Sequence, residues 1–466
     1  MSSPLARTLC VLAILCAARS ALAVPYPWVP LGEDDVRVVA SPRVEVDLRL
    51  ELVRRARRTI DLITYDQRAD LDVALPLGSA LRDAANRGVR VRFMVSWNSQ
   101  VLFDYSNHFG RLLIDPPTRV PIEYMIVGGT RGEDQGFGLL DGIHEKFLIV
   151  DEEFAMTTGR GIGAQYLRWL DTSFAIRGLL VKHIAHCFEG IWRESLRHFE
   201  PYRGYLGGSR RSSVPRYLSK LPADAEVQRT VDELLAWWAD PRRGPPAGRA
   251  RLLHHDFLRQ IHELTPTPSE AGARERIASL KDPIIDALVA RLATAKRVRI
   301  ASVSAILHPA LHDALLAARR RGAEITILIN CAAPRMNRSR APIAPGGSVW
   351  AMQAPDLDDL LHAGIDVRAF QIRDGSPWLF LHRKLAVLDD AVIIGSHNFN
   401  IPSSAFFDEA SIELEHAGLA AELARLFDED LGKNSQPLDP EVTKEERIRA
   451  GGRLLRWLSW PYLGYM

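Results

Sequence analysis

Read for its alternation of apolar and polar positions, the chain runs through the same series of elements twice. VDLRLELVRRARRTIDLITYD (46–66) carries apolar residues at helical spacing and then a β-rich stretch. DPIIDALVARLATAKRVRIASVS (282–304) has the same layout. LRDAANRGVRVRFMVS (81–96) and LLAARRRGAEITILIN (315–330) follow in turn. Each reads as a helix that stops at a glycine, Gly88 or Gly322, ahead of an apolar strand, and glycine suits the left-handed position that closes a helix. Third strands are expected within VPIEYMIV (120–127) and GIDVRAFQI (364–372). Helices that alternate with strands in this way predict an α/β fold of two pseudo-symmetric halves, each a mixed, mostly parallel sheet flanked by helices.

The segments outside the repeat divide the rest. Residues 24–205 form the first half and 276–435 the second; 206–275, rich in Gly, Pro, Ser and Arg with a helical stretch around Val231–Trp238, connect them. Residues 1–23 read as a secretory signal peptide, with Arg7 ahead of an apolar run from Leu9 to Ala18 and an Ala21-Leu22-Ala23 cleavage site. The expectation is an exported protein, periplasmic or peripheral to a membrane. Cys10 and Cys16 leave with the signal; Cys187 and Cys331 could pair or remain two separate thiols. The formal net charge of +2 does not mark a dedicated nucleic-acid binder and leaves room for a local basic patch. A tail, 436–466, ends in ERIRAGGRLLRWLSWPYLGYM. Its arginines, tryptophans and tyrosines suit either an anionic membrane surface or packing back on the domain.

Chemistry enters at one point of the repeat. HEKFLIVD places His144, Lys146 and Asp151, and HRKLAVLD places His382, Lys384 and Asp389. On a strand, a histidine and a lysine two residues apart share a face. If the halves pack about a pseudo-two-fold axis, two imidazoles and two ammonium groups converge on one cleft. Such a set suits a phosphodiester. The lysines hold the nonbridging oxygens, one imidazole attacks phosphorus, and the other protonates the leaving oxygen and later deprotonates the incoming alcohol or water. The lysines supply the positive charge, so no metal or cofactor is called for. Two acids stand at matching distances to fix the imidazole tautomers: Asp171 follows His144 by 27 residues (171 − 144) and Glu409 follows His382 by 27 (409 − 382). Asp151 and Asp389, at the far ends of their strands, read as structural. KHIAHC places His183, His186 and Cys187 on one helix, where core or surface histidines are expected before a metal site.

The paired H-x-K-x(4)-D pattern, followed by a G-S-x-N or G-G-x-N stretch, resembles the phospholipase D superfamily over roughly residues 36–200 and 276–430. HRKLAVLDDAVIIGSHNFN supplies Gly395, Ser396 and Asn398, and Glu409 matches the acidic position that follows in bacterial cardiolipin synthases. HEKFLIVDEEFAMTTGRGIGAQYL is similar to the cardiolipin-synthase form G-G-R-N-I-G-D-E-Y. It keeps Gly159, Arg160, Ile162 and Gly163; Thr158 stands for the first Gly, Gly161 for the Asn, and Ala164 and Gln165 for the acidic pair. The resemblance implies two phospholipase D-like halves in one monomer, with His144 as nucleophile and His382 as general acid and base. It also implies substrate contacts from Ser396, Asn398, Gly159 and Arg160, with one phosphate-facing donor lost at Gly161. The function it implies is phosphatidyl transfer on phospholipids at an anionic membrane surface through a covalent phosphohistidine, as in cardiolipin synthases. The alternatives are phospholipase D hydrolysis, a nuclease of the same superfamily, or a non-catalytic lipid-binding pseudoenzyme. Two motifs fused in one chain favour lipid over nucleic acid.

Overall fold

A computed structural model describes residues 26–97, 99, 108–128, 141–201, 218–260, 280–330, 346–371 (side chains from 352), 376–441 and 443. The signal segment, Cys331 and the tail from 444 onward lie outside these residues. Each half opens with a capped helix. Ser41 accepts from the Val44 N–H ahead of Pro42–Arg55, and Asp282 accepts from the Ile284 and Ile285 N–H groups ahead of Pro283–Leu292. Both helices carry proline in their first turn, where its missing N–H costs nothing. Helices Ala74–Arg87 and Pro309–Arg320 end at Gly88 (φ 107°) and Gly322 (φ 92°), in the left-handed region.

The first half builds a seven-stranded sheet in the order Val36–Val39, Ser173–Arg177, Phe154–Thr158, Phe147–Val150, Thr59–Thr64, Arg90–Ser96, Glu123–Val127. In the second half the corresponding run is Phe407–Glu415, Ala391–Gly395, Leu385–Leu388, Arg297–Ser302, Glu324–Asn330, Asp366–Phe370. In both, only the last three strands run parallel to one another. The rest of each sheet is antiparallel, a larger share than the helix–strand alternation implies. The cause is local: the motif strands are joined by hairpin turns at Asp151–Glu153 and Asp389-Asp390, too short for a parallel crossover.

Side chains alternate across these strands as period 2 requires. Phe147 and Ile149 face one core and Leu148 and Val150 another; Leu385 and Val387, then Ala386 and Leu388, repeat the pattern. The inner set from both sheets, with Ile63, Phe174, Ile394 and Ile412, forms one core between the halves. The segment between the halves is itself structured. Helix Ala225–Ala239 lays Val231 and Leu235 on the outer core of the first half. Strand Pro246–His255 enters the second sheet between Val29–Gly32 and Phe407–Glu415. No helix among the described residues is long and apolar enough to cross a membrane.

Candidate active site

Two short strand pairs carry each motif across to the opposite half. Gly142-Ile143, just ahead of His144, pairs in parallel with Phe407-Asp408, and the His144 N–H donates to the Asp408 carbonyl at 2.9 Å. Phe380-Leu381, just ahead of His382, pairs in parallel with Trp169-Leu170, and the His382 N–H donates to the Leu170 carbonyl at 2.9 Å. Each histidine therefore sits beside the acid of the other half. His144 Nδ1 lies 2.9 Å from Glu409 Oε1, and His382 Nδ1 lies 2.7 Å from Asp171 Oδ2. The matched sequence spacing associates each acid with the histidine it follows; the structure crosses the pairs, because the strand exchange places Glu409 and Asp171 over the seam. With Nδ1 on a carboxylate, Nε2 is the nitrogen left for chemistry on both rings.

The regular strands begin at Phe147 and Leu385, so the histidines and lysines occupy the extended residues just before them. Each lysine is buried and folds back on its own motif. Lys146 Nζ donates to the His144 carbonyl at 2.6 Å and Lys384 Nζ to the His382 carbonyl at 2.7 Å. Burial lowers Lys146 to about 8 and Lys384 to about 7, against the pull of Glu409 and Asp171. Burial also lowers His144 to about 4 and His382 to about 3, and the charges of both lysines act in the same direction on each ring. Burial alone would raise the two acids. The hydrogen bond and charge of His382 hold Asp171 down at about 2, and the charge and hydrogen bond of His144 hold Glu409 at about 2. The resting site thus holds two neutral imidazoles, two carboxylates and two easily discharged ammonium groups.

The other residues of the motifs build rather than line the cleft. Asp151 accepts from the backbone N–H groups of Arg57, Arg58 and Thr59 at 2.7–2.9 Å, and Asp389 from those of Lys296 and Arg297 at 3.1 and 2.9 Å. Arg160, read as a substrate contact, is 2 % exposed, with its guanidinium on Glu45 and on the Asp171 carbonyl (2.7 Å). It braces Asp171 from behind, because a buried guanidinium so paired has no reach into the cleft. Gly159 likewise offers no side chain: a Cβ there would stand 2.2 Å from Asp171 Oδ2, so glycine makes room for the acid. Ser396 occupies the same place in the second half and turns its hydroxyl onto Glu409. Asn398 is nearly buried, and its Oδ1 has no hydrogen-bond partner.

At the missing asparagine, a Cβ on Gly161 would stand 2.7 Å from Tyr166 Oη and 2.8 Å from the Asp66 carbonyl. Tyr166 fills that space, and its hydroxyl donates to Asp66 Oδ2 at 2.6 Å. Aromatic rings that the motif pattern does not single out flank both imidazoles. Tyr65 and Phe407 lie 4.8 and 5.3 Å from His144, and Trp169 and Phe380 lie 4.7 and 6.1 Å from His382. The signal for three of them is position: Phe407 and Trp169 each stand two residues before an acid, and Phe380 two before a histidine. His183 and His186 instead pack against the ring of Tyr26, and Cys187 is a buried free thiol.

Residues 288–431 match the family model described as "Cardiolipin synthase, PLD-like domain". That stretch lies in the second half of the chain, which is thus similar to the phospholipase D superfamily. No curated protein matches it in sequence. Among solved structures, the phosphatidylserine synthase of Haemophilus influenzae Rd KW20 is similar at 14 % identity and a TM-score of 0.62, covering 93 % of this chain and 96 % of that one. Nuc of Salmonella typhimurium, described as a phospholipase D family member, is 22 % identical over 33 % of this chain and 89 % of its own, with a TM-score of 0.24. The first likeness carries the two-halved fold of this phospholipase D-like chain across nearly its whole length.

Proposed function

We propose that the enzyme transfers a phosphatidyl group between alcohols on phospholipids, in the manner of a cardiolipin synthase, through a phosphohistidine on His144. The observation that carries this reading is the convergence of two His–Lys pairs, each imidazole fixed through Nδ1 by an acid of the other half. In the first step the charge of the bound diester draws a solvent proton onto His382 Nε2, His144 Nε2 attacks phosphorus, the P–Nε2 bond forms and the P–O bond to the leaving alcohol breaks, and the His382 imidazolium gives its Nε2 proton to the leaving oxygen. In the second step His382 takes the proton of the acceptor hydroxyl, whose oxygen attacks phosphorus as the P–Nε2 bond breaks. Lys146 and Lys384 balance the charge on the nonbridging oxygens throughout. The rings of Tyr65, Phe407, Trp169 and Phe380 beside the imidazoles support an amphiphilic substrate. The match of the second half to the cardiolipin-synthase domain supports a lipid acceptor. Export by the segment 1–23, action as a monomer and attachment to anionic membrane by the tail 436–466 complete the proposal.

The test is mass spectrometry of lipids after incubation of the mature chain with phosphatidylglycerol. New cardiolipin is the expected product. Phosphatidic acid without cardiolipin would make the enzyme a hydrolase, and unchanged lipid with cleavage of a DNA substrate would make it a nuclease. Unchanged lipid and unchanged DNA would leave a lipid-binding pseudoenzyme.

A further inference from the structure

Directly behind the His144–Glu409 pair lies a second cluster that the reaction does not use. Glu145 follows His144, Asp408 precedes Glu409, and His254 stands near the end of the strand between the halves. Glu145 and Asp408 are 0 % and 1 % exposed. His254 Nε2 lies 2.5 Å from Asp408 Oδ1 and 3.5 Å from Glu145 Oε1, and one ligand atom from each of the three residues lies within 4.8 Å of the others. Asp408 Oδ2 accepts from the Leu258 N–H at 3.1 Å. Both oxygens of Glu145 are buried and have no hydrogen-bond partner. The repeat sharpens the anomaly. Arg383 holds the equivalent position in the second motif, and its buried charge is matched by an ion pair with Asp430. Glu145 has only the imidazole of His254, which it shares with Asp408.

A buried carboxylate without a partner costs several kcal/mol, and two beside one another cost more. His254, held well above the usual histidine range and shared by both carboxyls, offsets one of the two charges, and a proton shared between the carboxyls or a bound cation would offset the other. A shared proton would serve one oxygen of Glu145 and leave the other with His254 alone, at 3.5 Å. We propose that Glu145, Asp408 and His254 bind one divalent transition-metal ion of the zinc class, a structural clasp behind the catalytic histidine. Two carboxylates and one imidazole form a mixed O/N donor set that suits zinc better than calcium or magnesium, whose sites are built from oxygen alone. Ligands bound at about 2.0–2.1 Å in a tetrahedron stand about 3.3 Å apart. The Glu145–His254 separation already fits, and the Asp408–His254 contact widens as the imidazole gives up its Nε2 proton. Glu145 comes from the first half, Asp408 from the second and His254 from the connection. The ion would therefore tie three segments together one residue from both His144 and Glu409. It touches no reacting atom, and this inference stands whichever diester the enzyme takes.

The untagged chain, produced in zinc-supplemented culture, is assayed for metal by mass spectrometry and for melting temperature after titration with zinc or magnesium. The expected result is one zinc per chain and stabilisation by zinc alone. Glu145→Gln and Asp408→Asn lose affinity by more than the roughly 10- to 100-fold that an outer-shell change costs, while the His183→Ala/His186→Ala control keeps its zinc. X-ray absorption at the zinc edge of the unmodified chain guards against variants that fail to fold. It should give an all-N/O shell with one imidazole. Protein that carries no zinc and gains no stability from it overturns the proposal. So does full zinc binding by Glu145→Gln, or a sulfur ligand in the shell, which would point to Cys187. A metal-free chain in which Glu145→Gln matches the parent in stability assigns the cluster to a shared proton instead.

Discussion

A neutral imidazole donates from one ring nitrogen only, so the carboxylate on Nδ1 decides which nitrogen is free to attack phosphorus. His144 depends on Glu409 for this and His382 on Asp171. His144→Ala and His382→Ala should each lower the rate by several orders of magnitude, because one ring cannot serve both roles in one step. Glu409→Gln and Asp171→Asn should each cost roughly 10²-fold or more. A diester with an activated phenolate leaving group separates the pairs. It needs no proton from His382, so release of phenolate should recover in His382→Ala and Asp171→Asn, and stay low in His144→Ala and Glu409→Gln. Recovery of Glu409→Gln together with His382→Ala would mean that the acids act within their own halves. The lysines set a pH limit in the same site. Lys384 and Lys146, lowered to about 7 and 8 by burial, lose their charge as pH rises through those values. The alkaline limb of kcat/KM should therefore begin near pH 7. In kcat it should lie higher, since a bound anionic diester favours the ammonium form. The same anion favours imidazolium on His382, which supplies the proton that the resting ring lacks. An alkaline limb at the ordinary lysine range, near pH 10, would show that the ammonium groups are not on the phosphate.

At the level of elements, the turn after each motif strand is held by its aspartate rather than by the chemistry in front of it. Asp151 (φ 56°) binds three backbone N–H groups at the start of Thr59–Thr64, and Asp389 (φ 54°) binds two at the start of Arg297–Ser302. Asparagine tolerates the positive φ, so substitution by Asn isolates the loss of the charged acceptor. Asp151→Asn should cost about 2 kcal/mol and Asp389→Asn, with fewer and more exposed partners, about 1 kcal/mol, both read from urea unfolding. The order reverses if the aspartates act through the site instead of the turn. These helices and strands were legible because each half repeats its pattern. Ser41 and Asp282 cap their helices, Gly88 and Gly322 close theirs, and Leu385-Ala386-Val387-Leu388 alternates between two cores. The four motif side chains and both acids were legible as types. Their crossed partnership was not, because Gly142-Ile143 and Phe380-Leu381 are two-residue strands whose partners lie in the other half. Spacing along one chain carries no trace of such an exchange. Arg160 was misread for a similar reason: its partner Glu45 lies in a helix 115 positions upstream.

Across the whole molecule, the site is also the place where acid should act first. His144 and His382 are held neutral by burial, at about 4 and 3, against about 6.5 in an unfolded chain. The unfolded state therefore binds protons that the folded state refuses. This contribution is fully present above pH 6.5 and is lost as pH falls from there toward 4 and 3. Asp171 and Glu409, held at about 2, add a second loss in the same direction, which begins near pH 4 and continues toward 2. Both pairs bridge the halves, so the cost falls on the seam between the two sheets rather than on either outer core. The expectation is a fall in the free energy of unfolding that starts near pH 6.5, well above the range where surface carboxylates titrate. In the double variant His144→Gln/His382→Gln, the curve should flatten between pH 4.5 and 6.5, and the loss below pH 4 should shrink as well, because the two rings hold the acids down. Urea unfolding at intervals across that range decides it. A parent curve that stays flat down to pH 4.5 would mean that the two imidazoles already carry protons at neutral pH. In that case the nucleophile would have to be freed by the substrate instead of waiting neutral beside Glu409.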